Sequence, residues 1–177
     1  MVFFIIQERE DEMSLRYTEM NDLGFGITMN IKQSLFKDKS EFQDVEILET
    51  EGLGRMLLLD DLVMTTEEDE FFYHEMIAHI PMMNHKCPKT VLVIGGGDGG
   101  TVREVLKHES VEEVVLCEID GMVVDACKEY LPTIACGLSN PKVKIVIDDG
   151  YLISIGNNIA INWSPKNKKE VNPWWHP

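Results

Sequence analysis

The sequence predicts an α/β protein in which a parallel sheet with covering helices follows a small antiparallel β domain. Three observations lead to this prediction. Residues 13–65 hold short alternating apolar and polar stretches separated by glycines. From residue 90 onward, unbroken apolar runs alternate with helical patterns, as in parallel sheets that are covered on both faces. A glycine-rich loop lies directly between the first of these runs and the helix after it.

Residues 13–65 are predicted to form the antiparallel β domain. Residues 27–31 and 45–48 alternate in the manner of half-buried strands, and residues 55–59 are typical of a more fully buried strand. The turns between strands are marked by glycines, namely Gly24, Gly26, Gly52 and Gly54.

Residues 65–84 are predicted to form a helix that leads into the second domain, which spans residues 66–150. Thr66 is placed to cap this helix, and the acids at 67–69 suit its first turn. Pro81 disturbs the helix end. The apolar stripe of the helix has four-residue spacing and consists of Phe72, Met76 and Ile80.

The second domain continues with a β-α-β-α-β pattern. Its strands are predicted at residues 91–94, 114–117 and 143–147. Helices are expected through Val102, Val105 and Leu106 and over about residues 122–131.

Both ends of the chain are atypical extensions of this design. Residues 1–12 look unrelated to the β domain after them, and Met13 is a plausible start. Residues 151–177 hold all three tryptophans and no aspartate, and they carry three lysines against one glutamate, whereas the whole chain has a net charge of −15. We expect this tail to be foreign sequence, such as a frameshift product or a wrongly assembled gene end.

The acidic composition argues against nucleic acid as a partner, because like charges would repel phosphate. It suits cationic ligands such as polyamines or sulfonium compounds, although acidity also serves solubility alone. No apolar stretch at the N-terminus is long enough to span a membrane, and no signal-peptide pattern is present. A cytoplasmic protein is therefore expected. Its four cysteines, Cys87, Cys117, Cys127 and Cys136, show no zinc-binding spacing, so we expect them to be free thiols.

The glycine-rich loop is the strongest functional signal. Gly95, Gly97 and Gly100 satisfy the G-x-G-x-x-G spacing between a strand and a helix, where a ligand can approach the backbone closely. The alternative is a tight strand-to-helix turn without a ligand. Glu118 and the pair Asp149-Gly150 end the next two strands, at the sheet edge where α/β proteins bind ligands. Together these positions predict a nucleoside site, with Glu118 accepting from the ribose hydroxyls.

Asp98 lies inside the loop and indicates which nucleoside binds. A carboxylate there would repel a pyrophosphate or the carboxylate of S-adenosylmethionine, but it would pair with an ammonium group. Decarboxylated S-adenosylmethionine is the better electrostatic match. The alternative is that Asp98 only caps the following helix.

No metal site is expected. His74 and His79 are five residues apart, not the four that place two histidines on one helical face. A surface or packing role for these histidines is the alternative, and a binding role for Tyr73 or His74 stays open.

These motifs resemble the spermidine synthases, or polyamine aminopropyltransferases. The resemblance covers about residues 14–150 and rests on TEEDEFFYHEM at 66–76, VIGGGDGGTVREV at 93–105, CEID at 117–120 and DDG at 148–150. It implies an N-terminal β domain that is often used for oligomerisation, giving a dimer or tetramer. It also implies a Rossmann-like, methyltransferase-type parallel sheet, which is truncated here.

The resemblance also implies residue roles. Gln43 is similar to the family's glutamine that contacts the sulfur nucleoside, and Glu118 to its ribose ligand. Asp98 matches the acid that holds substrate ammonium groups. Tyr73 and His74 match the acceptor-amine side of the pocket, and Asp149 with Gly150 matches the pair beside the adenine.

The implied reaction moves an aminopropyl group from decarboxylated S-adenosylmethionine, as co-substrate, to putrescine, and it needs no resident cofactor or metal. The products are spermidine and methylthioadenosine. Two alternatives stay open: a methyltransferase that uses S-adenosylmethionine, and a non-catalytic ligand-binding remnant.

The sequence departs from the family after Gly150. The segment that normally carries the general base, of the form Asp-x-Ser/Thr-Asp-Pro, has no counterpart in the tail. No catalytic residue is therefore assigned, the chain is expected to be inactive, and strand 91–94 is expected to become an exposed sheet edge.

Overall fold

The N-terminal part of the protein is an antiparallel sheet. The structure is a computed structural model that describes residues 15–150 and the backbone of residues 159–162. Each strand of the first sheet pairs with the next one in the chain. The strands are β1 (Leu15–Met20), β2 (Gly26–Lys39), β3 (Asp44–Thr50), β4 (Arg55–Leu59) and β5 (Leu62–Thr66).

Both faces of this sheet are covered near its centre. Ile47 and Leu57 point into the main core, whereas Leu48 and Leu58 belong to a smaller cluster on the opposite face. The predicted full burial of residues 55–59 is confirmed for the three central positions.

Helix α1 (Glu70–Asn84) begins later than the sequence predicts. Thr66 is not its cap, because this residue ends β5 and pairs there with Met56. The N-cap is Asp69, whose Oδ1 accepts a hydrogen bond from the Thr66 hydroxyl at 2.6 Å. Pro81 lies inside the helix, which continues to Asn84.

The predicted apolar stripe of α1 is also wrong. Phe72, Met76 and Ile80 are 68%, 59% and 51% exposed. The face that packs inward contains Glu70, His74, Ala78 and Met82 instead. Two of these side chains, Glu70 and His74, are polar and contact each other. Their other partners, Arg103 and Asp98, come from the next helix along the chain and from the glycine-rich loop before it, which the pattern of α1 by itself does not reveal.

The second sheet is parallel, as predicted. Its strands are β6 (Thr90–Ile94), β7 (Glu113–Glu118), β8 (Val143–Ile147) and β9 (Ile159–Asn162). Their order is β8-β7-β6-β9, with all neighbouring pairs parallel. The first of them along the chain, β6, is buried at its three central residues. The helices are α2 (Gly100–Val105), α3 (Gly121–Tyr130) and α4 (Pro132–Ala135).

Strand β9 corrects the expectation that residues 91–94 form a sheet edge. It pairs with β6 so that Ile159 lies opposite Val91 and Asn162 opposite Ile94. Strand β6 therefore lies between β7 and β9. Pairing with β6 requires only an extended segment that lies alongside it, because the hydrogen bonds are made by the backbone, and residues 159–162 form such a segment. The rest of the tail, and residues 1–14, lie outside the described residues.

The main hydrophobic core connects the two sheets. It includes Val45 and Leu57 from the antiparallel sheet and Val93 and Leu116 from the parallel one. The boundary between the sheets is therefore packed, and it contains the glycine-rich loop.

Candidate functional site

The glycine-rich loop connects β6 to α2 in a conformation that glycine adopts most easily. Gly95, Gly96 and Gly99 have φ angles of 76°, 83° and 88°. A side chain at such an angle clashes with the backbone, so these positions require glycine. The Gly95 N–H donates to the carbonyl of Cys117 at 2.8 Å, which holds the start of the loop against the end of β7. The loop is thus a tight strand-to-helix turn, and it also borders a cavity.

Glu118 at the end of β7 is tied to the same loop. Its Oε2 accepts from the Gly97 N–H at 3.0 Å, and its Oε1 accepts from the Asp120 N–H at 3.1 Å. A Cβ at Gly97 would lie 3.0 Å from Glu118 Cγ, so glycine makes this approach possible. Burial raises the pKa of Glu118, and the backbone donors offset this only in part. Ile119 is a third backbone donor, so the carboxylate keeps acceptor capacity for a hydroxyl donor on one of its oxygens.

Asp98 points toward α1 and the cavity. Its Oδ1 accepts from the Gly100 N–H at 2.7 Å and lies 3.3 Å from His74 Nε2. Burial opposes ionisation of Asp98, but the hydrogen bond and charge of His74, together with Gly100 and Arg103, hold its pKa below the ordinary value. The carboxylate is therefore charged at neutral pH. Its bond to Gly100 is the capping contact of the alternative interpretation, and Asp98 lines the cavity as well.

His74 and Tyr73 form the wall of the site on α1. His74 is 2% exposed, and its Nδ1 lies 2.5 Å from Glu70 Oε2. Burial opposes protonation of this ring, but Asp98 and Glu70 outweigh it and raise the pKa of His74. Burial and the charge of Asp98 raise the pKa of Tyr73, whose ring meets that of His74 edge-on at 5.3 Å.

A cavity of about 330 Å³ lies where these elements meet the antiparallel sheet. The predicted residues that line it are Gln43, Tyr73, His74, Gly95 and Asp98.

Sequence reasoning missed two further acids in the wall of this cavity, Glu19 and Asp60. They come from β1 and from the β4–β5 turn, and no motif marks them. Apart from His74, no basic side chain lines the cavity among the described residues. Its charge therefore favours a cation.

Gln43 lines this cavity and contacts Asp120, which lines a second, more open cavity of about 590 Å³. Its Nε2 donates to Asp120 Oδ2 at 2.7 Å, and the Ser40 hydroxyl donates to the same oxygen at 2.7 Å. Asp120 and Asp149 line the second cavity. The contact from Gln43 to Asp120 spans 77 positions in the chain, so the sequence could not show it.

Asp149 and Gly150 lie at the end of β8, at the same sheet edge. Asp149 is exposed, and its N–H donates to Asp148 Oδ1 at 2.7 Å. A Cβ at Gly150 would collide with the Ile94 side chain, which places this glycine against the end of β6. The structure thus brings Gln43, Tyr73, His74, Gly95 and Asp98 around one cavity and leaves Asp149 beside the other. Gly97, Glu118 and Gly150 belong to the lining of neither cavity.

Residues 15–150 hold no group of three or more His, Cys, Asp or Glu side chains arranged to bind a metal ion. None of the helices found in that range has the length and apolarity needed to cross a bilayer.

This arrangement can bind a ligand with an uncharged polar body and a cationic arm. The buried carboxylate of Glu118 can accept hydrogen bonds from hydroxyl groups of a ligand that lies against the backbone of the glycine-rich loop. Asp98 provides a negative charge from the same loop, in a cavity that Glu19 and Asp60 also line.

Two family models match the chain, and together they cover both sheets. One is described as the spermine/spermidine synthase domain and matches residues 70–154. The other is described as the spermidine synthase tetramerisation domain and matches residues 16–67.

Curated relatives share about half of their length with this chain. A polyamine aminopropyltransferase of Shouchella clausii is 53% identical over 140 residues, which cover 79% of this chain and 51% of that protein. The polyamine aminopropyltransferase of Bacillus subtilis is 51% identical over 138 residues, with 78% and 50% covered. The chain thus spans about half the length of the curated relatives it matches.

Solved structures agree with the fold. Spermidine synthase from Thermotoga maritima superposes with a TM-score of 0.76 at 45% identity, covering 84% of this chain and 52% of that one. A spermidine synthase in complex with the transition state analogue AdoDATO has the same TM-score and identity and covers 84% and 51%.

Proposed function

This chain belongs to the spermidine synthase family, and we propose that its reaction is aminopropyl transfer from decarboxylated S-adenosylmethionine to putrescine. The observation that carries the proposal is the position of Asp98, an ionised carboxylate in the glycine-rich loop that faces a cavity with two further acids. A carboxylate at this point favours a donor with an ammonium arm over one that also carries a carboxylate. The names of the relatives support the same chemistry.

The proposed roles combine the two cavities with the sheet edge beside them, where Glu118 bonds to the loop at Gly97 and Gly150 lies against Ile94. Glu118 binds the ribose hydroxyls, and Asp149 with Gly150 borders the adenine. Gln43 lies between the cavities, at the position proposed for the sulfur. Asp98 holds the ammonium group of the aminopropyl arm.

The acceptor amine is proposed to bind on the α1 side of the cavity that Asp98 lines. Tyr73 and His74 line that wall, and Glu19 and Asp60 add negative charge opposite the loop. A diamine such as putrescine is doubly cationic, so it is attracted by these carboxylates.

The reaction is a displacement at the carbon attached to the sulfonium. The nitrogen lone pair of the acceptor forms the new C–N bond while the C–S bond breaks, and the electron pair stays on sulfur as a neutral thioether. The site contributes alignment of the amine with that carbon. The proton of the new ammonium then needs a base. No Asp-x-Ser/Thr-Asp-Pro segment occurs in this sequence, so no residue of this chain is assigned as that base.

Calorimetry with matched nucleosides tests the proposal. We expect tighter binding of decarboxylated S-adenosylmethionine than of S-adenosylmethionine. Asp98→Asn should reduce this preference by roughly 10- to 100-fold, because a hydrogen bond to a charged group contributes about 1.5–3 kcal/mol. Asp125→Asn, at an exposed position of α3, is the matched control and should leave the preference intact.

Each other outcome favours a different function. Tighter binding of S-adenosylmethionine would support a methyltransferase, and an unchanged preference in Asp98→Asn would remove Asp98 from its role. Absence of binding by every nucleoside would point to a non-catalytic remnant. Formation of methylthioadenosine in the presence of putrescine would show that turnover does not need the missing segment.

The chain is also proposed to form a homo-oligomer through its first sheet. The family model that matches residues 16–67 is described as a tetramerisation domain. Large apolar side chains are exposed on β1, β2 and the turn between them: Leu15, Met20, Leu23, Phe25 and Ile27. Burial of such a patch is the usual driving force of association.

Sedimentation velocity checks this oligomer. We expect Phe25→Ser to weaken association, whereas Phe72→Ser on α1, a similarly exposed position, should not. A monomeric parent chain at all concentrations would contradict the proposal.

A further inference from the structure

Four charged or chargeable side chains form a continuous row that leads away from the cavity. Asp98 Oδ1 lies 3.3 Å from His74 Nε2, and His74 Nδ1 lies 2.5 Å from Glu70 Oε2. Arg103 Nη2 then donates to both oxygens of Glu70, at 2.8 and 2.9 Å. The row joins the glycine-rich loop, α1 and α2, and only Asp98 and His74 line the cavity.

The row fixes how Asp98 faces a ligand. Both of its hydrogen-bonding partners among the described residues, Gly100 N–H and His74 Nε2, contact Oδ1. The second oxygen, Oδ2, has no hydrogen bond within residues 15–150 and remains available to an ammonium group. His74 Nε2 lies next to the same carboxylate, so a cation bound at Asp98 also meets this ring.

The charge on His74 depends on the groups packed around it. Glu70 and Tyr73 face the ring from α1, Asp98 from the loop, and Arg103 acts from α2 through Glu70. Burial disfavours the imidazolium, but the two carboxylates favour it more strongly, so the pKa of His74 is raised in the empty site. A bound ammonium would compete with the imidazolium for Asp98, because both are cations beside one carboxylate.

We propose that His74 releases its Nε2 proton to solvent when an ammonium group binds at Asp98, and that Glu70, held by Arg103, is the positioning residue for this exchange. In the neutral ring, Nδ1–H still donates to Glu70, and Nε2 beside Asp98 becomes a hydrogen-bond acceptor. An ammonium has three N–H donors, so it can then bind Asp98 and Nε2 together. The site thereby exchanges one cation for another instead of accumulating charge. This inference rests on the proposed function for the identity of the ligand.

The sign of the pH dependence follows from the linkage. The ligand lowers the pKa of His74, so proton release accompanies binding between the bound-state and the empty-state pKa. Across this window the affinity rises with pH by up to about tenfold per unit, and it becomes constant above the empty-state pKa. Methylthioadenosine lacks the ammonium arm and should show no such dependence.

The experiment follows the His74 ring by NMR in protein labelled with ¹⁵N- and ¹³C-histidine, with His74→Gln to assign its signals. We expect decarboxylated S-adenosylmethionine to lower the pKa of His74 and to leave the Nδ1–H tautomer, whereas methylthioadenosine should do neither. Calorimetry in two buffers of different ionisation enthalpy should report release of up to one proton. Glu70→Gln keeps an acceptor but removes the charge, so the empty-state pKa and the pH window should both shift to lower values. Glu75→Gln, exposed on the same helix, should shift neither.

The possible failures are distinguishable. If decarboxylated S-adenosylmethionine binds and the pKa of His74 does not change, the inference is overturned while the proposed function stands. If no nucleoside binds, 1,3-diaminopropane at millimolar concentration takes its place as a simple ammonium probe. A lowered pKa of His74 with this probe supports the exchange, and an unchanged one overturns it. The parent-chain measurements decide the question even if Glu70→Gln does not fold.

Discussion

Asp98 shows how single residues set the character of this site. It is the one ionisable residue in a six-residue loop whose other positions are all glycine. Three of those glycines have positive φ angles, so they bring the backbone into a shape that ordinary residues resist. The loop thereby lets two helices approach each other, with His74 of α1 directly against Gly100 of α2.

Gly100→Ala tests this close approach. An added Cβ would fall on the ring atoms of His74, and the buried ring is held on both sides by Asp98 and Glu70. We expect a loss of unfolding free energy of roughly 1–3 kcal/mol, as for overpacked cores, measured by urea denaturation. Gly52→Ala is the control, since nothing lies within 4 Å of its added Cβ. Equal stability of the two variants would show that the helices can separate without cost.

At the scale of elements, helix α1 shows where a sequence pattern misleads. Two rows with four-residue spacing run along it: 72, 76 and 80, and 70, 74, 78 and 82. The first row is more apolar, but the second row is the one that is buried. Glu70 and His74 can be buried because Arg103 and Asp98 supply opposite charges from α2 and the loop. These partners lie far from α1 in the sequence, so the pattern of residues within the helix cannot reveal them.

Two of the strands that the sequence did predict share a physical property. Residues 91–94 and 114–117 are apolar on both faces, and that pattern suits a covered parallel strand and little else. Gly95 to Gly100 and Glu118 were recognisable because strand ends carry the ligands in such sheets. Strand β5, Glu19, Asp60 and the contact of Gln43 with Asp120 were not, because each depends on packing between distant segments.

Adjacent methionines at the end of α1 test which face is buried. Met82 is 2% exposed and belongs to the main core, whereas Met83 is 79% exposed. We expect Met82→Ala to reduce the free energy of unfolding by about 2–5 kcal/mol, the usual cost of a large-to-small change in a core. Met83→Ala has the same chemistry and should change it by less than about 0.5 kcal/mol. A larger effect at Met83 would mean that another surface covers this helix face in solution.

For the whole molecule, the two sheets depend on each other. The main core takes residues from both, and Ser40 and Gln43 reach across to Asp120 of the second part. Arg55 Nη1 likewise donates to the carbonyl of Tyr130 at 2.7 Å. The cavity that Asp98 lines lies along this junction, so its shape requires both sheets. A ligand bound there should therefore stabilise the chain as a unit.

The pairing of β9 with β6 gives a prediction about the whole sheet. Alternate backbone N–H groups of a strand point to opposite neighbours, so some β6 amides bond to β7 and the others to β9. In a chain that ends after Gly150, we expect the β9-facing amides among residues 91–94 to lose protection against hydrogen exchange, while the β7-facing ones keep most of it. The amides of β7 are the internal control, because this strand lies between β6 and β8 in both chains. Identical exchange along β6 in the two chains would mean that residues 159–162 do not complete the sheet in solution. Loss confined to alternate positions would show that the pairing of β9 protects the strand that leads into the glycine-rich loop.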